Sequence, residues 1–192
     1  MKKYLLVAFA LGLFPFLAIG QGTVNFGSTD MAHRVLRDDG VTPPGPGFSA
    51  ALYWAPVGSP ESAMLQLGAI TSVTGGTGFL VAGGTRTTGP GTPEGQDAMF
   101  QIRAWNGGFA TFEEAVVNAP VGFLWGKTNP FMNPTGAPNA TPPTPPAFLS
   151  GWTTPLIVSI PEPSTFALIG LGAGAWLLLR SQKRLRRQHS PK

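Results

Sequence analysis

Between its two apolar ends the chain is predicted to be mainly β, a small Ig-like or jelly-roll-type β-sandwich with one short helix. Three observations predict this. Charged residues make up only 11% of the 192 residues, while 26 glycines and 20 prolines punctuate the chain closely, which describes turn-rich β structure more than helix. Several short stretches alternate apolar and polar residues with the two-residue period of a half-buried strand. One segment only, Thr111-Phe-Glu-Glu114, carries the capping pattern of a helix start. No internal repeat of fixed period is present.

Taken in order, Thr23 to Gly27 alternates as the first strand. Asp38-Asp39-Gly40 makes a turn, and Pro43 to Gly47 an irregular loop. Phe48 to Trp54 forms the next strand, with Phe48, Ala50, Leu52 and Trp54 on one side, stopped by Pro56 and by Gly58-Ser-Pro60. Met64 to Val73 reads as a third strand, bent at Gly68. Gly75-Gly76 turns the chain, Gly78 to Ala82 has the continuous apolar character of a buried strand, and Gly83 to Gly95 reads as loop. Asp97 to Trp105 gives the clearest alternation, closed by the turn signal Asn106-Gly107.

The helix is expected over Phe112 to Asn118, where Pro120 forbids its continuation, with another strand over Val121 to Trp125. From Asn129 to Phe148 the chain is mostly Pro, Thr, Ala and Asn, centred on Thr141-Pro-Pro-Thr-Pro-Pro146. Such composition favours polyproline II and a semi-rigid spacer. Residues 133–160 are therefore assigned to a Pro/Thr-rich linker or stalk, and 21–132 to the β-rich domain. Leu156 to Ile160 is either a last strand or the stalk, with the stalk preferred.

Composition excludes several functions. The chain has no cysteine, which removes disulfides, thiolate metal sites and a cysteine nucleophile together. Its formal charge of +4 is misleading, because the basic residues crowd the two ends. Residues 21–160 hold five cations (Arg34, Arg37, Arg86, Arg103, Lys127) against eight acids (Asp30, Asp38, Asp39, Glu61, Glu94, Asp97, Glu113, Glu114), a net −3. A nucleic-acid partner loses its electrostatic basis there.

Candidate chemistry in the middle of the chain is sparse. Asp30, Asp38 and Asp39 have the hard oxygens that calcium requires, but carboxylates followed by glycine are ordinary turn formers and the EF-hand spacing is absent. Glu113 and Glu114 are adjacent, so on a helix they diverge by about 100° and suit the positive helix start rather than a glycosidase pair. His33 is the only histidine between residues 21 and 160; it is expected to be a solvated loop residue. Trp54, Trp105, Trp125 and Trp152, with Tyr53, serve either as core, the preferred reading, or as a platform for sugar rings, for which Trp54 and Trp105 are the candidates. No catalytic residue, metal site or cofactor is assigned, and the chain is expected not to be an enzyme; an exported carbohydrate-active protein using dispersed acids (Asp38, Glu94, Asp97) is the alternative.

The ends are more informative. Lys2 and Lys3 precede an apolar stretch, Tyr4 to Ile19, that closes on Ala18-Ile19-Gly20. Small residues at Ala18 and Gly20 are those a signal peptidase reads, so residues 1–20 form a signal peptide helix with the cut before Gln21. At the other end, Phe166 to Leu179 contains no charge over fourteen residues. At about 1.5 Å per residue such a helix covers about 21 Å of an approximately 30 Å hydrocarbon core. Arg180, Lys183, Arg184, Arg186 and Arg187 follow without an intervening acid, a block that resists translocation and stops the transmembrane helix 166–179 in the lipid.

Just before that helix stands Pro161-Glu162-Pro163-Ser164. Two prolines fix φ and remove backbone donors, which leaves the peptide extended and accessible to a protease. Pro161-Glu162-Pro163, the apolar helix and the Arg-rich terminus together resemble the PEP-CTERM sorting signal of exported bacterial proteins, over residues 161–192. The resemblance implies recognition, and removal of the tail, by a membrane-embedded protease of the exosortase type. It further implies transient anchoring, placement at the cell surface or in the extracellular matrix, and an association with extracellular polysaccharide.

Overall fold

The structure, a computed structural model, describes residues 20–160 apart from Thr29, Ala82, Ala119 and Val121. Residues 1–19 and 161–192 lie outside the described residues, and with them Ala18, the motif Pro161-Glu162-Pro163-Ser164, the apolar run 166–179 and the basic tail from Arg180 to Arg187. Among the described residues the chain is mainly β, and none of their helices is long and apolar enough to cross a membrane.

At the centre lie β3 (Phe48–Ala55) and β7 (Asp97–Asn106), antiparallel and in register from Phe48 opposite Asn106 to Ala55 opposite Met99. Their period-two pattern sends Phe48, Ala50, Leu52 and Trp54, with Ala98, Phe100, Ile102 and Ala104 across from them, into the main core cluster. The opposite face gives Ala51, Tyr53, Ala55 and Trp105 to a second cluster. Burial on both faces explains why the β3 sequence is apolar almost throughout rather than alternating cleanly.

Short strands complete this sheet. β4 (Leu65–Gln66) and β5 (Thr71–Ser72) both pair with β3. The single strand expected from Met64 to Val73 is thus divided in two, with Gly68 between them at a φ of +74°, which breaks the run of extended backbone. β8 (Trp125–Lys127) and β9 (Phe131–Pro134) pair with the two halves of β7. The strand expected over Val121 to Trp125 begins only at Trp125, after a turn in which Gly122 has a φ of +98°.

A second layer covers the main cluster. β1 (Thr23–Phe26) lies between β6 (Gly84–Thr87), antiparallel, and β10 (Ala147–Phe148), parallel. β2 (Val35–Arg37) pairs in parallel with β11 (Leu156–Val158). Val24 and Phe26 of β1, Val35 of β2, and Leu156 and Val158 of β11 share the cluster with β3 and β7. β6 occupies a stretch expected to be loop, whereas Gly78 to Ala82, expected to be a strand, contributes only isolated bridges at Phe79 and Leu80. The expected helix is present as α1 (Phe112–Asn118). Thr111 Oγ1 accepts from the Glu114 N–H at 3.1 Å, and the Glu114 carboxylate accepts from the Ala110 N–H, one residue before the box's usual partner.

The largest correction concerns residues 133–160, which are part of the fold rather than a stalk. β9, β10 and β11 all draw residues from this region, and Leu149, Trp152, Leu156 and Val158 are buried. Asn133, itself buried, donates to the carbonyls of Pro134 and Phe148 and accepts from Ser150 Oγ and the Gly151 N–H. The proline-rich stretch is a surface loop closed where the Ala137 N–H donates to Thr144 Oγ1 at 2.6 Å and the Thr144 N–H donates to Ala137 O at 2.9 Å. Proline content describes the loop correctly and conceals what flanks it.

Because 156–158 is a strand with Leu156 and Val158 in the core, Leu156→Ala removes buried volume and costs about 2–5 kcal/mol, while Ile157→Ser, on the exposed face, stays within about 0.5 kcal/mol. Urea unfolding of the two variants separates strand from stalk: a stalk would leave both midpoints at the wild-type value.

Candidate functional site

The site of interest is the point at which the chain leaves the fold. β11 runs between β2 and β8, and beyond it Ser159 is still bound: the Trp125 N–H donates to Ser159 O, and the Ser159 N–H to Trp125 O, each at 3.2 Å. Gly126 permits this approach, since a Cβ there would lie 2.0 Å from Ile157 O. Ile160 is exposed, and Pro161, which has no N–H to donate, follows immediately. Backbone pairing therefore reaches to within two residues of the Pro-Glu-Pro sequence.

The other predicted processing point also sits at the edge of the fold. The Glu94 N–H donates to Gly20 O at 2.9 Å, Gln21 bridges to Pro93, and the Gly22 N–H donates to Thr92 O at 3.3 Å. The bond between Gly20 and Gln21 thus marks where the chain joins its first strand.

On the outer face of the sheet a polar network joins β3, β7, β8 and α1. Arg103, buried on β7, donates from Nη1 to Glu113 Oε1 at 2.5 Å and from Nε to Gln101 Oε1 at 2.8 Å, and its guanidinium lies 3.8 Å above the Tyr53 ring. Tyr53 Oη donates to the other Glu113 oxygen at 2.7 Å. Gln101 Nε2 donates to Glu61 Oε1 at 3.0 Å, and Lys127 Nζ donates to the same oxygen. Burial first, then the hydrogen bond to Glu113, pushes the Tyr53 hydroxyl well above its ordinary range. Glu113 is thus more than a helix-start charge: it binds α1 to the sheet. Adjacent acids in the sequence suggested a dipole role only, and nothing local could have named Arg103 and Tyr53 as partners.

The aromatic residues are placed differently from the sugar-platform alternative. Trp54 is 7% exposed and donates from Nε1 to Thr92 Oγ1 at 3.2 Å; Trp105 is fully buried and donates from Nε1 to Phe109 O at 3.1 Å. They belong to separate clusters on opposite faces of the sheet, so they present no common surface to a sugar. His33 is also not a solvated residue. Its side chain is only 12% exposed, its Nδ1 lies 2.6 Å from Asp30 Oδ1, and its ring meets Trp152 edge-on at 5.2 Å.

Asp39 closes its own turn, accepting from the N–H groups of Val41 and Thr42 and from the Thr42 hydroxyl, and these bonds, the hydroxyl first, hold its carboxyl below the usual range. Asp30 is likewise lowered, chiefly by its hydrogen bond with His33. Among the described residues no three acids or histidines gather as a metal would require. Asp38, following β2, and Asp97, opening β7, belong to different sheets and to opposite ends of their strands, so these two acids are not brought together.

The class defined so far is a mainly β domain whose last strand passes directly into a terminal address. Residues 159–184 match the family model for the PEP-CTERM protein-sorting motif, and the chain is a protein bearing that motif. The match supports export, recognition of the tail by an exosortase, and transient membrane anchoring before surface placement. No curated protein matches the chain, and no solved structure does.

Two outcomes test this geometry. Glu61, held below its ordinary value of 4.5 first by Lys127 and then by Gln101, contributes stability that is complete above that pH and fades as pH falls through the lower folded value. In Glu61→Gln the plot of thermal midpoint against pH is therefore flatter below 4.5 than in the wild type. Trp54→Ala and Trp105→Ala each lower stability by about 3–5 kcal/mol, read as a fall in denaturation midpoint; a surface platform would leave the midpoint unchanged.

Proposed function

We propose that this protein is an exported, non-catalytic component of the cell surface or extracellular matrix, associated with extracellular polysaccharide. Its β domain is the cargo and its terminal segment the address. The observation that carries the proposal is the continuity between Ser159, the last of the described residues paired into the fold, and a sorting motif whose match begins at that same residue. Among the described residues, both core clusters are built from Val24 to Val158. A cut beyond Ile160 keeps all of these residues in one piece, which suits an address that is removed after use.

Signal peptidase acts before Gln21, and the apolar run 166–179 with Arg180, Lys183, Arg184, Arg186 and Arg187 halts transfer. The exosortase then cuts close to Pro161-Glu162-Pro163. The architecture that travels is a β-sandwich in our reading, supported by the cluster that β1, β2 and β11 share with β3 and β7. Parallel pairing of β1 with β10 and of β2 with β11 sets it apart from a wholly antiparallel sandwich. The polysaccharide association is supported by the sorting motif alone.

Replacing Glu162 with Ala, or deleting Arg180 to Lys192, leaves export intact and causes the unprocessed form to accumulate in the membrane fraction. Intact mass of the mature protein and a fractionation blot read this directly. Variants with the mass and location of the wild type overturn the processing role.

A further inference from the structure

Removal of residues 1–20 creates an α-amine at Gln21, and the fold holds the chain there by bonds that the cut does not touch. The Gly22 N–H donates to Thr92 O at 3.3 Å, and the Gly22 carbonyl accepts from the Thr88 N–H at 2.8 Å and from Thr88 Oγ1 at 3.1 Å. Thr23 exchanges two backbone bonds with Gly136, at 3.1 and 2.7 Å. A Cβ on Gly22 would fall 2.1 Å from Thr135 Oγ1, so only glycine admits this close an approach. What the cut does remove is the acceptor at Gly20 O, to which the Glu94 N–H donates at 2.9 Å.

Glu94 stands at the point of cleavage. Its carboxylate lies so near the Gly20 backbone that a Cβ there would fall 2.7 Å from Cδ and 2.8 and 2.9 Å from the two oxygens. The nitrogen that becomes the α-amine is two covalent bonds from Gly20 Cα. Glu94 Oε2 accepts from the Asn139 N–H at 3.0 Å, which keeps the group at this seam. Among the described residues no cation pairs with it. The segments bonded to Gly20 through Thr23, residues 88–94 and 135–137, carry no charged side chain besides Glu94. Arg86, on the adjoining strand β6, donates to Ala69 O at 2.9 Å and lies 5.9 Å from the centre of the Phe26 ring.

We propose that Glu94 is the receptor for the chain's own new amino terminus: once residues 1–20 are cut away, its carboxylate binds the α-ammonium of Gln21 and keeps that glutamine from cyclising. This inference rests on the cut before Gln21 given above. In the uncut chain a neutral peptide bond occupies the same place, so the ion pair belongs to the mature protein alone. An amino-terminal glutamine closes on itself when its uncharged α-nitrogen bonds to its own Cδ. The Cδ–Nε2 bond then breaks, the proton displaced from the α-nitrogen passes to the departing amide nitrogen, and ammonia leaves a cyclic lactam. Gln21 is exposed, so its side chain has room to do this. A carboxylate beside the amine favours the ammonium form, which has no lone pair with which to attack.

The full-length chain and its Glu94→Gln variant, each exported by a host that removes the signal peptide, are purified and incubated at about pH 7 and about pH 10, the second well above the ordinary α-amino range of about 7.7–8.0. Glutamine at this position keeps an oxygen for the Asn139 N–H and removes only the charge. The tryptic peptide ending at Arg34 is read by mass: it begins at Gln21, and it is lighter by one ammonia where the ring has closed. Near pH 7 the variant cyclises about tenfold faster than the wild type, the factor that one unit of pKa makes in the uncharged fraction. Near pH 10 both amines are uncharged and the two rates coincide. A peptide beginning elsewhere than Gln21 overturns the cut and this inference with it. Equal rates near pH 7, or wild-type protein that is already cyclised when purified, overturn this inference alone. A variant faster by the same factor at both pH values assigns the effect to a loosened seam rather than to charge, and overturns it as well.

Discussion

The fold depends on the antiparallel pairing of β3 with β7 over eight opposed residues. Because both faces of this pair are covered, each strand must satisfy two environments at once. The main face is built from large side chains such as Leu52, Phe100 and Ile102, whereas the outer face alternates small residues, Ala51 and Ala55, with Tyr53 and Trp105. Small residues at Ala50 and Ala104, opposite each other, let the covering layer approach closely. A disulfide-free exported domain has only such packing to hold it together, and about 140 residues are enough for one core of this kind.

Polar groups on the outer face follow from the same constraint. Gln101 and Arg103 are buried on a central strand, where an unmatched donor is expensive. Their partners come from elsewhere in the chain: the Thr128 backbone carbonyl and the Glu61 carboxylate receive Gln101, and Glu113 and the Tyr53 ring receive Arg103. Since those partners fit in one arrangement only, the network fixes where α1 and the turn at Glu61 sit on the sheet. Thus a helix of seven residues, too short to be stable alone, is held by charge-assisted bonds as well as by Phe112 and Ala115.

Sequence reading succeeded where the signal is local. β3 and β7 declare themselves by alternation, α1 by Thr111 and Glu114, and the tail by its ordered Pro-Glu-Pro, apolar and basic parts. It failed where a strand exists because of a distant partner. Gly-Thr-Arg-Thr in β6 has no apolar face of its own and is a strand because β1 lies beside it. Leu156-Ile-Val158 is too short to declare itself, yet β2 and β8 flank it. The Trp54 and Trp105 alternatives stayed open for a similar reason: period two assigns the residues to faces without saying that both faces are covered.

β1 pairs with β10 and β2 with β11, so the opening strands of the domain find partners more than 115 residues downstream, as Val24 opposite Ala147 and Val35 opposite Leu156 show. Closure of such distant loops comes late, since its entropy must be met before the contacts are made. A chain threaded amino end first across a membrane cannot complete this architecture until the segment adjoining the anchor has emerged. Maturation of the cargo and arrival of its address thereby coincide: a molecule stalled midway remains unlatched, with β1 and β2 lacking their parallel neighbours, and only a fully translocated one offers the protease a finished domain.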